Sequence, residues 1–294
     1  MYKRTIAVVL LTAMVVSLSS YAGAKEACPK WKLAVQSYSF KKFTFFEGIE
    51  KTAELGLCYI EGSGGRKISP EIQNVMFTQL RQDGAEFKQA REAVKKKLRD
   101  SGVKLVSYGV VGLPNDEAEC RKVFDFAKEM GYDVIIAEPP VDALDLIERL
   151  CKEYNMKVAL HNHPMPSLYW HPNLVLEALE GRSELMGACA DTGHWMRCGI
   201  NPVWALKKLE GRIISLHLKD LNDYGEVDTH DVPWGTGKGK VKEVLEELNR
   251  QKFKGIIAIE YEYNWEDSVP DMKQCIDYFN KVVSELPKEE PESK

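Results

Sequence analysis

The sequence lacks the features that identify several large classes of protein. It has no CxxC pair among its seven cysteines, no GxGxxG or GK[ST] phosphate loop and no block of basic residues. The net charge is −4, so the sequence does not indicate the positively charged surface that binds nucleic acid. The longest apolar run is shorter than the ~20 residues that a membrane-spanning helix needs. We therefore expect no nucleic-acid partner and no stable membrane insertion.

The cysteines are spread along the chain rather than grouped. The chain is 294 residues long, and its cysteines are scattered and odd in number. We therefore expect buried single thiols rather than a disulfide framework. The glycine cluster at 62–65 lacks both phosphate-loop spacings and is interpreted as a flexible loop between a strand and a helix.

The N-terminus has the three regions of a secretory signal peptide. Lys3 and Arg4 precede an apolar run at 6–18, and Ala22, Gly23 and Ala24 follow it. We predict a signal peptide at 1–24 and export to the periplasm or the exterior, with an uncleaved membrane anchor as the weaker alternative. Residues 25–286 then form one domain, and the charged tail at 287–294 is predicted to be disordered.

Short apolar runs alternate with amphipathic stretches through the whole domain. Each predicted strand is followed by a predicted helix, which is typical of an all-parallel sheet, and eight such units close a barrel. We predict a single (β/α)8 TIM barrel of the α/β class rather than an open doubly wound sheet, whose glycine fingerprint is missing after the first strand. The predicted strands are 33–40, 58–61, 104–111, 133–137, 157–160, 185–191, 213–218 and 255–259.

Polar residues occur where these strands end. In a barrel, the carboxyl ends of the strands and the loops after them carry the active site. Residues two apart share a face of a strand, and small residues precede the polar ones on the inward face. The strand ends carry Tyr38, Glu61, Tyr108, Glu138, His161, His163, Asp191, His194, His217, Lys219, Glu260 and Glu262.

The pattern of histidines and carboxylates indicates a metal site. All six histidines lie between 161 and 230, and Asp191 and Glu260 are at neighbouring strand ends. Imidazole with carboxylate suits Mn²⁺, Zn²⁺, Co²⁺ or Fe²⁺ better than Ca²⁺.

Other residues near the strand ends have two interpretations. Lys219 has either a catalytic role or a salt bridge to Asp220 or Glu260. Trp195 and Trp234 either pack in the core or stack on a sugar, and the second is weakly favoured. The turn-rich loop from His230 to Gly239 is predicted to lie over the mouth. Candidate substrate-binding residues are Tyr38, Trp195, His230, Trp234 and Lys238.

Four motifs in order, ADTGHW, SLHLKD, PWGTGKGKV and AIEYE, resemble the xylose isomerase-like TIM barrels. That family includes sugar isomerases, keto-sugar epimerases and inosose dehydratase. The resemblance implies one divalent ion (Mn²⁺, Zn²⁺, Co²⁺ or Mg²⁺) held from strands five to eight. Asp191, His217 and Glu260 match the last three ligands. His161 replaces the expected glutamate of strand five, with His163 a close second. Glu138 is either a further ligand or an acid/base.

The chemistry that the resemblance implies is proton abstraction next to a carbonyl, through an enediolate. Reprotonation gives an isomer or epimer, whereas loss of a substituent gives lyase or hydrolase chemistry on a 3-keto-glycoside. Export favours a free sugar or keto-glycoside as the small-molecule substrate. The catalytic candidates are Glu138, Glu260, His163, His194 and Lys219. A non-catalytic sugar-binding barrel that uses the metal to hold diols is the alternative, and a homo-oligomer is compatible with either function.

Overall fold

Eight parallel strands close into a barrel in the order in which they occur along the chain. The computed structural model describes residues 31–72 and 75–287. The predicted (β/α)8 barrel is confirmed, while the predicted signal peptide and residues 288–294 of the predicted tail lie outside the described residues. The strands are β1 (Lys32–Gln36), β2 (Tyr59–Gly62), β3 (Lys104–Val111), β4 (Val134–Ala137), β5 (Lys157–His161), β6 (Met186–Asp191), β7 (Ile213–Leu218) and β8 (Ile256–Ile259).

Helices follow the strands and cover the outside of the barrel. Glycines in the left-handed region end α2 and α3, and side-chain caps begin α1 and α3. The described helices are α1 (Phe45–Glu54), α2 (Ala85–Ser101), α3 (Glu117–Met130), α4 (Leu144–Tyr154), α5 (Pro172–Leu179), α6 (Thr192–Arg197), α7 (Pro202–Lys208), α8 (Val241–Arg250) and α9 (Val269–Glu285).

Two local predictions were wrong. β1 ends at Gln36 rather than at residue 40, because the Gln36 side chain accepts a hydrogen bond from the Tyr38 amide and starts a 3₁₀ helix, Ser37–Phe40. The segment after β6 was predicted as a polar strand end and is the helix α6. Both segments lie at the carboxyl end of the barrel, where the chain turns sharply to present side chains.

The barrel interior is filled by small and branched side chains. Ala159, Cys189 and Ala258 are fully buried there, each two residues before a polar residue on the same face. This confirms the predicted alternation, and it leaves room at the carboxyl end for larger polar groups.

The cysteines in the described part of the chain are free. Four of them are buried, Cys198 is partly exposed and Cys58 is exposed. Within the same residues, no helix combines the length and apolar character that crossing a membrane requires.

Candidate active site

Four donor atoms from successive strands meet at the carboxyl end of the barrel. His161 ends β5, Asp191 ends β6, His217 lies in β7 and Glu260 follows β8. One nitrogen or oxygen from each lies within 4.8 Å of the donor atoms of the other three. All four side chains are buried. The convergence comes from strand register, since His217 pairs with Asp191 on one side and with Ala258, two residues before Glu260, on the other.

Local hydrogen bonds orient Asp191. Its Oδ1 accepts a hydrogen bond from the His194 amide at 2.7 Å and so caps α6, which leaves Oδ2 turned toward the other donors. Asn162 continues the pairing of β5 with β6 beyond the strand, because its side chain bonds both the amide and the carbonyl of Asp191. The backbone of Asp191 and one oxygen of its carboxylate are therefore both held before any ligand binds.

His217 is oriented by a residue for which the sequence analysis gave no role. Glu61, at the end of β2, lies 2.8 Å from His217 Nε2 and accepts a second hydrogen bond, of 2.5 Å, from Ser107. With Nε2–H donating to this carboxylate, Nδ1 is the ring nitrogen that faces the site, and it can bind an ion when the ring is neutral. Glu61 is fully buried among the strands, and its place at an inward strand end was the sequence pattern that could have identified it.

Lys219 lies within the same cluster. Its Nζ is 2.9 Å from Glu260 Oε2, 3.0 Å from Asp191 Oδ2 and 3.3 Å from Glu262 Oε2. The predicted salt bridge to Glu260 is present. The alternative partner, Asp220, instead accepts backbone hydrogen bonds from the loop after β7. Burial opposes the charge of Lys219, but Asp191, Glu260 and Glu262 raise its pKa well above the ordinary value.

Electrostatics suit the cluster to a cation. Burial lowers the pKa of His161 to about 4, so this imidazole is neutral at pH 7 and available as a ligand. For His217, burial opposes the charged form, but Cys189, Glu61 and Glu260 raise its pKa well above the ordinary value. An ion that binds to His217 would therefore displace the proton on Nδ1. The carboxylates of the cluster outnumber Lys219, so the site attracts positive charge.

The unpaired atoms of the cluster test whether it fits a metal ion. Asp191 Oδ2 and Glu260 Oε2 are buried and accept no well-directed hydrogen bond, although Lys219 Nζ lies close to both. Buried carboxylate oxygens without a donor are unfavourable. Two imidazole nitrogens and two such oxygens form a donor set that Zn²⁺, Mn²⁺ or Co²⁺ accepts, so the residues fit the expected ion.

A second pair lies beside the donors. His163 Nδ1 is 2.6 Å from Glu138 Oε2, and Ser167 donates to the other oxygen of Glu138. The structure therefore brings His161 rather than His163 into the donor group and places Glu138 outside it, against His163. The hydrogen bond that His163 donates to Glu138 raises the pKa of His163, whose side chain is 44% exposed. A half-exposed imidazole backed by a carboxylate is suited to moving a proton.

His194 is more enclosed than His163. Its Nε2 lies 3.5 Å from Asp191 Oδ2, and Arg197 Nη1 lies 3.1 Å from its Nδ1. Because Arg197 has only donors, Nδ1 accepts and the proton is on Nε2. Burial lowers the pKa of His194 well below its ordinary value.

The loop after β7 folds around Asp220. The amides of Gly235, Gly237 and Gly239 donate to its carboxylate at 2.7–3.0 Å. The structure leaves the Lys238 side chain exposed, with only its backbone amide tied to Leu221.

The predicted aromatic contacts separate into two groups. Trp195 and Trp234 are buried in the hydrophobic core, which corresponds to the packing alternative and leaves no face open for a sugar. Tyr38 is partly exposed, and the His230 ring stacks on Tyr263, a residue that the sequence analysis did not select.

The fold and the cluster together define a (β/α)8 barrel with a buried site of two histidines and two carboxylates at its carboxyl end. A family model described as the xylose isomerase-like TIM barrel matches residues 49–282. The chain belongs to this family.

Solved structures agree with this assignment. An uncharacterised protein from Parabacteroides distasonis is 34% identical, with a TM-score of 0.69, over 86% of this chain and 99% of that one. A D-tagatose 3-epimerase-like protein (22% identity, TM-score 0.65, 86% and 99% coverage) shares the fold. So does the IolI protein with a bound zinc atom (15% identity, TM-score 0.64, 88% and 100% coverage).

The uncharacterised protein y4fM of Sinorhizobium fredii is 24% identical over 142 residues. These residues are 46% of this chain and 45% of that protein, so the chain matches less than half the length of this curated relative.

Proposed function

We propose that the protein is an exported, divalent-metal-dependent enzyme that acts on a keto-sugar by removing a proton next to the carbonyl. The observation that carries the proposal is the convergence of His161, Asp191, His217 and Glu260 donor atoms within 4.8 Å. Membership of the family supports it, as do the structural similarities to an epimerase-like protein and to a zinc-bound protein.

The ion would be held by the four atoms that are turned toward one another, which are His161 Nε2, His217 Nδ1, Asp191 Oδ2 and Glu260 Oε2. A bound divalent cation would polarise the substrate carbonyl and stabilise the negative charge that develops when the neighbouring proton leaves. Glu61 keeps His217 in the tautomer that presents Nδ1.

The proton is moved by residues at the edge of the cluster. The His163–Glu138 pair is half-exposed and adjoins the donors, as the His163 and His161 ring centroids are 4.5 Å apart. His163 therefore accepts or returns the proton, with Glu138 holding its charged form, and Glu260 is the second carboxylate available for this role. Buried Lys219 balances the charge of Asp191, Glu260 and Glu262.

Two outcomes share this first step. Returning the proton yields an isomer or epimer, whereas expelling a substituent on the next carbon yields a lyase or hydrolase acting on a 3-keto-glycoside. His163, which is more exposed than His194, is the better placed of the two to protonate a leaving group.

The test is solvent deuterium incorporation into a 3-keto-glucoside or a ketose, followed by NMR of the products. Metal-loaded protein should exchange a proton, and chelator-treated protein and Asp191→Asn should not. His171→Ala, a histidine that caps α5, serves as the matched control. Tight sugar binding without exchange in the metal-loaded protein would support the non-catalytic barrel instead.

Export is part of the proposal and has its own test. Mature protein recovered from a bacterial periplasm should begin near residue 25 on N-terminal sequencing. A full-length N-terminus in the cytoplasm would refute export without affecting the chemistry.

A further inference from the structure

Four aromatic side chains form a partly exposed group at the barrel mouth, which we call the aromatic rim: Tyr38, His230, Tyr263 and Trp265. The Tyr38 and Trp265 rings meet edge to face with centroids 5.7 Å apart. The His230 and Tyr263 rings stack at 4.3 Å. Lys41 lies over Trp265, with Nζ 3.3 Å from the ring centroid.

Two of the four rings are exposed and the other two are partly buried. Tyr38 is 37% exposed and Tyr263 is 48% exposed, whereas Trp195 and Trp234 are almost completely buried. A group of exposed aromatic residues next to a polar site marks a binding surface more often than an accident of packing.

The aromatic rim belongs to the same loops as the candidate active site. Tyr263 and Trp265 follow Glu260 in the loop after β8, and Tyr38 follows β1, which pairs with β8. Between them, Glu262 reaches inward to within 3.3 Å of Lys219 Nζ. The His163–Glu138 pair follows β4 and β5, which lie on the opposite side of the barrel, so a ligand that reaches both must cross the ion site.

A cavity of about 490 Å³ adjoins the rim. Its volume lies within the ~300–1,000 Å³ that is usual for small-molecule sites. Two aromatic rings and several hydrogen-bonding groups line it together. A pyranose needs both, since it has an apolar C–H face and hydroxyls at its edge. The lining residues are Lys42, Tyr263, Asn264, Trp265, Glu266 and Asp271.

We propose that the aromatic rim is a subsite for a second ring of the substrate. The reacting keto-sugar lies at the ion site, and the ring attached to it stacks on Tyr263 and Trp265. This inference rests on the proposed function and narrows its substrate class to glycosides with a second ring, excluding free ketoses as the best substrates.

Binding of unreactive glycosides tests the subsite. We would measure by calorimetry the affinity of the metal-loaded protein for methyl glucoside, phenyl glucoside and cellobiose, which have no ketone, and check by NMR that none of them reacts. At least one of the two-ring ligands should bind about tenfold more tightly than methyl glucoside. Trp265→Ala and Tyr263→Ala should each lose roughly fivefold for that ligand, as expected for aromatic contacts, and nothing for methyl glucoside. If the protein prefers phenyl glucoside, the second ring is an aryl group. If it prefers cellobiose, the second ring is a sugar.

Control variants separate stacking from folding. Trp204→Ala removes an exposed tryptophan from α7, away from the rim, and should change no affinity. Trp265→Phe keeps an aromatic face and should retain part of the preference. Equal binding of all three glycosides, or unchanged binding in both alanine variants, would overturn the subsite.

A failure of the proposed function is distinguishable from a failure of the subsite. Deuterium exchange into free 3-keto-glucose depends on the metal ligands and should persist in Trp204→Ala, which lies outside the rim. If wild-type protein shows ring preference without exchange, the chemistry is wrong and the subsite stands. If it shows exchange without ring preference, the subsite is wrong and the chemistry stands.

Discussion

Single residues in this barrel have two tasks, one in the fold and one in the site. Asp191 caps α6 with Oδ1 and faces the other donors with Oδ2. Thr192 bonds both the amide and the carbonyl of Lys219 and so joins β6 to β7 just beyond the strands. Because structural hydrogen bonds hold these side chains, little side-chain entropy remains to be lost when a ligand binds.

Glu61 provides the first prediction at this scale. Glu61→Ala removes the acceptor of His217 Nε2–H and frees the ring to turn or change tautomer. We expect metal affinity to fall roughly 10- to 100-fold, with a smaller loss in Glu61→Gln, as measured by calorimetry or chelator competition. Glu247→Ala removes a buried carboxylate on α8, far from the site, and should bind metal normally. If Glu61→Ala bound metal as tightly as wild type, Glu61 would have no role in the metal centre.

Asp231 provides the second prediction at the scale of single residues. Both of its oxygens are buried without a hydrogen-bond partner, and Arg197 Nη2 is 3.8 Å away. Burial raises the pKa of Asp231 to about 8 from the ordinary 3.8, so the folded state holds the proton more tightly than the unfolded state. This stability is present below pH 4 and is lost as the pH rises toward 8.

Asp231→Asn should therefore be more stable than wild type at pH 8, with a difference that grows from about pH 4 to pH 8 and then stays constant. Urea unfolding over this pH range measures it. The exposed loop residue Asp228 supplies the control, since Asp228→Asn should have the same free energy of unfolding as wild type at each pH. A constant difference across the range would show that Asp231 is ionised in the fold.

At the scale of elements, hydrogen bonds tie down at least one of the loops at the carboxyl end. The loop after β7 is held by three glycine amides that donate to Asp220. A Cβ at Gly237 would lie 2.4 Å from the Leu221 carbonyl, so the close approach requires glycine there. The sequence analysis predicted turn chemistry for these glycines and a position for the loop, and it gave no role in the loop to Asp220.

Asp220→Ala should loosen this loop. Three buried or partly buried amides lose their acceptor, and we expect a loss of about 3 kcal/mol in the free energy of unfolding. Limited proteolysis should show faster cleavage between residues 221 and 240, and urea unfolding measures the stability. Asp228→Ala again serves as the matched variant. Wild-type cleavage rates in Asp220→Ala would mean that the loop is held by other contacts.

At the scale of the whole molecule, metal binding should contribute to stability. The candidate ligands come from four strands, so an ion held by them links the second half of the barrel. Chelation should lower the Tm, and Zn²⁺ or Mn²⁺ at about 100 times its Kd should restore about 2.7 kcal/mol. The Tm of Asp191→Asn should change far less than that of wild type when chelator or metal is added. A Tm that is indifferent to both chelator and metal in wild type would argue against the metal centre.

The sequence by itself determined the repeating strand and helix order, the closure into eight units and the strand ends at which ionisable residues gather. These follow from local periodicity, which a chain carries along its length. The tertiary structure decided which of these residues meet. His161 and His163 share the same parity, and β5 ends at His161, so only His161 turns into the donor group while His163 pairs with Glu138. Glu61 reaches His217 across 156 positions of sequence because the barrel closes, and contacts across a closed lumen leave no trace in local sequence patterns.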